Sequence, residues 1–200
     1  IWQQIATRYQ DAPDSVYFEL LNEPNSILGA SKWNRLLADA LAIVRESNPV
    51  RIVIIGPVHW NQIAQLTSLE LPPEDRRIIV TFHYYHPFQF THQGASWVDG
   101  AYDWGGTTWT GTDLEKREIE LDMKLALDWA TKENRPLYMG EFGAYSVADM
   151  ESRVRWTQFV RSQAEAHNIS WAYWEFASGF GAYDPARDEW REPLLKALIP

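Results

Sequence analysis

Apolar residues along this chain fall into two alternating patterns, short runs of strand type and longer stretches with helical spacing. The stretch VYFELLNEPN reads as a strand over 16–22, bounded by a turn at Pro13 and by Pro24. From Ser31 onward, Trp33, Leu36, Leu37, Ala40, Leu41 and Val44 follow helical spacing, with Ser31 as the expected N-cap. RIVIIGP, 51–57, is an almost wholly apolar run stopped by Gly-Pro, and RIIVTFHYY, 77–85, is a second. Thr112 and Glu115 have capping-box spacing ahead of a helix whose apolar face carries Ile119, Met123, Ala126 and Ala130. PLYMGEFG, 136–143, is the fourth strand, 150 to about 166 a further helix, and ISWAYWEF, 169–176, the fifth strand. Ile1, Ile5 and Tyr9 predict the end of an amphipathic helix, and 193–199 a short amphipathic piece that closes the chain.

Strands apolar on both faces and separated by helices imply a parallel sheet with right-handed crossovers. A doubly wound nucleotide fold would place a Gly-rich phosphate loop after its first strand, and none stands there. In a β/α barrel the chemistry gathers at the carboxyl ends of several strands instead. That is the pattern here. The strands end in Asn22-Glu23, in Gly56-Pro57 before His59-Trp60, in His83-Tyr84-Tyr85-His86, in Gly140-Glu141-Phe142-Gly143 and in Trp174-Glu175. The expected architecture is an α/β fold, a partial (β/α)8 barrel in one domain, 1–200, with these groups on one rim.

Composition narrows the partners. With 46% hydrophobic and 22% charged residues the chain is of globular type. Its net charge of −9, from 18 basic and 27 acidic residues without a Lys or Arg run, argues against a nucleic-acid partner. There is no stretch of about 18 apolar residues, the length a membrane-crossing helix needs. The absence of cysteine removes disulfides and thiolate metal sites. The opening IWQQIATRYQ has neither an initiator Met nor a basic n-region and reads as a cut end. Of 11 Trp, Trp60, Trp97, Trp104 and Trp109 fall in loop-like stretches, where large aromatics usually meet a ligand or a partner surface. A sugar ring suits them, since its apolar face stacks on an indole while its hydroxyl rim needs polar neighbours.

Two carboxylates at strand ends, Glu23 and Glu141, flanked by aromatics, are what glycoside hydrolysis needs: one protonates the leaving oxygen, the other stabilises or attacks the oxocarbenium-like centre. Taken singly, a Glu at a strand end is more often a helix cap or a surface ion pair. Glu19, on the same strand face as Glu23, reads as a structural carboxylate paired inside the barrel. His83 and His86 lie on opposite strand faces and are not a metal-ligand pair, so no metal is expected. Trp171 alternates away from Trp174 and reads as core.

FELLNEPN, TFHYYHPFQFTHQGASWV, YMGEFGAY and SWAYWEFASGFGAYD, in this order and spacing, resemble glycoside hydrolase family five, over essentially the whole chain. The likeness is strongest to bacterial endo-β-1,4-glucanases that often also accept mannan or glucomannan. It implies a (β/α)8 barrel acting with retention, without a cofactor, on a polysaccharide outside the cell, hence a secreted protein. It also implies Glu23 as general acid/base, Asn22 as donor to the sugar 2-hydroxyl, and Glu141 as nucleophile. By the same likeness His83 and Tyr85 contact Glu141 and the reacting sugar. Trp174 is then a stacking floor on the non-reducing side, Glu175 a partner for sugar hydroxyls, and His92, Trp60 and Trp97 loop contributors to subsites.

The chain departs from the family in having only five strands, which correspond to the fourth to eighth of the barrel. An Arg and a His of the family's site go with the missing units. Strands 16–22 and 169–175 are then open apolar edges. Self-association of two copies through those edges is expected, or a missing part in the same gene product. The alternatives to an active glucanase are a β-glucan-binding remnant that turns over slowly or not at all, and a β-mannanase or xylanase of the same design.

Overall fold

The computed structural model describes all 200 residues, Ile1–Pro200. They form two compact units, one made of Ile1–Phe82 and Leu125–Tyr138, the other of His83–Lys124 and Met139–Pro200. Strand β3 (Ile78–Tyr84), helix α5 (Asp113–Glu133) and strand β4 (Leu137–Phe142) run through both.

In the first unit, β1 (Phe18–Glu19) pairs in parallel with β2 (Val53–Ile55), and β2 with the start of β3. Phe18 lies opposite Val53, and Val53 opposite Ile78. Val80 N donates to Pro136 O (2.9 Å), which sets the chain entering β4 beside β3. Val53, Ile55, Ile78, Val80 and Phe82 are buried, as apolar runs covered on both faces must be.

β1 is the sheet edge and behaves differently. The expected strand over 16–22 forms ladder bonds only at two residues, because its single neighbour β2 is itself three residues long. Phe18 and Leu20 turn inward, while Val16, Tyr17 and Leu21 are exposed. Glu19 is exposed as well, so the expectation that it lies inside a barrel fails: on this edge strand its face is not covered.

Helix α1 (Trp2–Arg8) buries Ala6, not the expected face of Ile1, Ile5 and Tyr9, and Trp2 anchors it by donating to Leu20 O (3.1 Å). Helix α2 (Ala30–Ser47) packs through Trp33, Leu37, Leu41 and Val44, a narrower stripe than expected, since Leu36 is exposed. Its N-cap is Gly29, not Ser31: Lys32 N and Trp33 N both donate to Gly29 O. The segment between α1 and β1 has no ladder. It closes around buried Arg51, whose guanidinium donates to the carbonyls of Tyr9, Gln10, Ala12, Pro13 and Val16 at 2.6–3.2 Å.

In the second unit, β5 (Ser170–Trp171) follows β4: Ala172 N donates to Met139 O and Trp174 N to Phe142 O, both at 2.9 Å. Helix α6 (Met150–Ala166) buries Trp156, Val160 and Ala164 and packs on α7 (Glu192–Leu198). Arg161 Nε donates to Ala197 O, at 2.9 Å, across that contact. Asp149 caps α6 by accepting from Ser152 N (2.8 Å); burial pushes its carboxyl up, but the bonds from Ser152 outweigh this and hold it below the usual range. The capping box before α5 forms as expected, with Glu115 accepting from Thr112 N at 2.7 Å and Thr112 Oγ1 accepting from Glu115 N at 3.3 Å.

Three features differ from expectation. Trp109, read as a ligand-facing loop residue, is buried and packs on Phe159 of α6 at 5.9 Å between ring centroids. Trp171 is only half-buried, edge-on to Phe142 at 5.6 Å, with its Nε1 donating to Glu165. An antiparallel hairpin, β6 (Tyr183–Asp184) with β7 (Glu189–Trp190), was not anticipated; two-residue strands leave too little alternation to read. No helix of the chain is long and apolar enough to cross a membrane.

Candidate active site

The second unit gathers the groups around Glu141. Alternation along β3 puts His83 and Tyr85 on one side, and both meet the same carboxylate oxygen of Glu141: Tyr85 Oη donates to Oε2 at 2.8 Å, and His83 Nδ1 lies 3.3 Å from it. Glu141 and His83 are both buried. The Tyr85 hydroxyl fixes the rotation of the carboxylate through that oxygen, with His83 Nδ1 beside it. His86 points elsewhere, with Nδ1 3.5 Å from Asp122 Oδ2, as the alternation argument for these two histidines requires. Tyr84, on the opposite strand face from His83 and Tyr85, donates to Asp122 Oδ2 (2.9 Å); burial first, then the Asp122 charge, pushes its phenol well above the usual range.

Around this pair lies an aromatic wall. The peptide bond His86-Pro87 is cis, and the short turn α4 (Phe88–Thr91) that follows delivers His92, whose ring stacks on Phe88 at 4.1 Å and meets Tyr85 edge-on at 4.9 Å. Phe180, on the loop after β5, closes the wall against Tyr85, His92 and Tyr145 at 5.4–6.1 Å. Main-chain bonds lace the three loops together, Tyr145 N to Thr91 O (2.8 Å) and Ser146 N to Gly179 O (2.9 Å). Trp97 stands on this wall edge-on to Tyr145 (5.0 Å) and is 60% exposed, so most of its ring is open to a ligand. Trp174, 46% exposed, lies just beyond β5 and is joined to Glu175 by a cis peptide bond. Glu175 accepts from Ser178 N (2.8 Å) and Phe180 N (3.1 Å) through Oε1, so it shapes the loop that carries Phe180. Gly143 is required here, because an added Cβ would lie 3.2 Å from the Trp174 carbonyl carbon and closer still to its oxygen.

The first unit carries Asn22, Glu23 and Trp60. Asn22 is exposed, Glu23 half-exposed, and Pro24 buried as the chain leaves β1. Asn25 Nδ2 donates to Glu23 O (2.8 Å), Trp60 N to Pro24 O (3.3 Å), and Asn61 Nδ2 to Asn22 O. Trp60 is 47% exposed, within a turn, α3 (Val58–Asn61), that has left-handed dihedrals at His59 and Trp60. The sequence reading missed Asn61, Gly56, Phe180 and Phe88. Gly56-Pro57 at a strand end was the one available signal for the first two. For the others, aromatic residues of a loop look alike until the loop is folded.

A family model described as cellulase, glycosyl hydrolase family 5, matches residues 1–179. Endoglucanase H of Acetivibrio thermocellus is 34% identical over 184 residues, covering 92% of this chain and 19% of that protein. The structure of Thermotoga maritima Cel5A in complex with cellobiose is 46% identical with a TM-score of 0.97, over 99% of this chain and 64% of that one. Its complex with mannotriose gives the same identity, TM-score and coverage. The chain thus spans less than two thirds of the length of these relatives, as a five-strand portion of a barrel does.

Proposed function

The chain belongs to the cellulases of glycosyl hydrolase family 5, and from that premise we propose that it acts as a retaining endo-β-1,4-glucanase with Glu141 as nucleophile and Glu23 as general acid/base. The observation that carries this reading is the buried Glu141 carboxylate, bonded through one oxygen to Tyr85 with His83 beside the same oxygen, in the unit that also exposes Trp97 and Trp174. A buried carboxylate clamped in one rotation suits in-line attack on an anomeric carbon.

In the first step Glu141 bonds to that carbon while the proton of Glu23 passes to the departing glycosidic oxygen. The products are a glycosyl ester on Glu141 and a released chain end. In the second step Glu23, now a carboxylate, takes a proton from water as the water oxygen attacks the same carbon, and Glu141 leaves as carboxylate. Retention requires the two carboxyls to work about 5–5.5 Å apart. Asn22 donates to the sugar 2-hydroxyl. Trp174, Trp97 and Trp60 stack on sugar rings, and His92 and Glu175 contribute contacts at the subsites.

The substrate class proposed is β-1,4-glucan, with glucomannan as a second; the cellobiose and mannotriose complexes of the Thermotoga maritima relative support both. Such polymers lie outside the cell, and this reading has the protein act there. Two copies associate through the open strand edges, a reading supported by exposed Val16, Tyr17 and Leu21 beside β1. Light scattering from a stable monomer would remove it.

The deciding experiment is reducing-end release from soluble β-1,4-glucan by the parent, Glu141→Ala and Glu23→Ala, with the anomeric form of the product read by NMR. Cleavage with retention by the parent, lost in both variants, is the expected result. Inversion sinks the mechanism. Glucan binding without release makes the chain a binding protein.

A further inference from the structure

The segment that carries Glu23 is held by three successive main-chain acceptors. Asn22 O accepts from Asn61 Nδ2, Glu23 O from Asn25 Nδ2 at 2.8 Å, and Pro24 O from Trp60 N at 3.3 Å. Two of these donors come from one turn, in which His59, Trp60 and Asn61 have φ of 56°, 59° and 56°. Three consecutive non-glycine residues in the left-handed region are unfavourable, most of all for a bulky Trp, and persist only where surrounding contacts demand them. Asn61 is fully buried although polar. Its amide carbon lies 2.5 Å from where a Cβ on Gly56 would stand, so Gly56 is the space that Asn61 fills. Gly56 is itself fixed by Trp33, whose Nε1 donates to Gly56 O at 2.9 Å from the buried face of α2.

The geometry points to Asn61 as a positioning residue for the general acid/base. By holding the Asn22 carbonyl it sets the plane of the peptide between Asn22 and Glu23, and so the direction in which both side chains leave the main chain. Gly56 is its required cradle. This rests on the proposed role of Glu23; the turn itself touches no substrate through Asn61, which is closed to solvent.

The test is Asn61→Gly, which tolerates the left-handed dihedral and removes the whole side chain with its amide, beside Asn61→Asp, which keeps the shape and loses the donor. kcat/KM is measured on a cello-oligosaccharide, whose leaving alcohol needs a proton, and on a dinitrophenyl β-cellobioside, whose leaving group does not. General acid catalysis contributes ~10²–10⁴-fold, so a loss of at least ~10-fold on the oligosaccharide with less than ~3-fold on the aryl glycoside is expected. Equal losses on both substrates, or none, overturn the proposal. Glu23→Ala is the internal reference: if it shows no such selectivity, the role given to Glu23 is wrong, whatever Asn61 does. A crystal structure of Asn61→Gly gives a readout independent of turnover, with residues 22–24 displaced and the rest of the fold kept. Unmoved residues 22–24 would overturn the positioning role.

Discussion

At Glu141 the hydrogen bonds end on the carboxylate, from Tyr85 Oη and with His83 Nδ1 beside the same oxygen. The segment of Glu23 is gripped by its main chain as well, at the carbonyls of Asn22, Glu23 and Pro24. Under the proposed mechanism this difference follows from the two tasks. A nucleophile stays ionised until it attacks and gains from donors that fix one rotation of its charge. An acid that must also serve as base gains and loses a proton in every cycle. A grip on its backbone aims the side chain and is indifferent to its charge. The second unit accordingly builds with side chains on a rigid strand, and the first with a strained turn.

The sharpest way to break this contrast is Tyr85→Phe. It removes one charge-assisted bond, worth about 1.5–3 kcal/mol, and is expected to lower kcat by roughly 10- to 100-fold with little change in KM. If kcat moved by less than about 2-fold, the clamp on Glu141 would be ornamental and the contrast would fall. Next is Gly143→Ala, whose Cβ would meet the Trp174 carbonyl. Overpacking against backbone costs about 1–3 kcal/mol, so the melting temperature should fall, and Trp174 fluorescence in glucan titrations should report a weakened stack. A variant as stable as the parent would show that the β4 and β5 ends yield easily.

The smallest effect is expected at the α6 cap. Asp149→Ala should cost about 1 kcal/mol near neutral pH. The Asp149 carboxyl is held below its ordinary value in the folded chain, so its contribution is complete above that ordinary value, about 4, and is lost as pH falls through the lower folded value. The gap in melting temperature between parent and variant should therefore be constant at neutral pH and close in acid. A gap that persists in acid would mean that the cap acts through packing and not through charge.

Much of the sheet was legible because strands covered on both faces must be apolar throughout, and β2, β3 and β4 could hardly be read otherwise. A period of two put His83 and Tyr85 on one face before any fold was known, and the family resemblance implied that they contact Glu141; the structure brings these three together. Glu19 failed under the same rule, since period alone says which residues share a face and not whether anything covers it. Trp109 failed because exposure of a loop aromatic depends on what the loop lies against, here Phe159 of a helix far along the chain.

By itself, then, the sequence determined the alternation of elements, the faces of the strands and the polar groups at their ends, because these depend on local periodicity and on where Gly and Pro interrupt it. Only the tertiary structure decided that one oxygen of Glu141 receives both partners, that Phe180 closes the wall around His92, and that Asn61 occupies the space beside Gly56 to hold the Asn22 carbonyl. Such contacts join residues distant along the chain at distances of a few ångströms, and no local pattern encodes the path by which the backbone returns to make them.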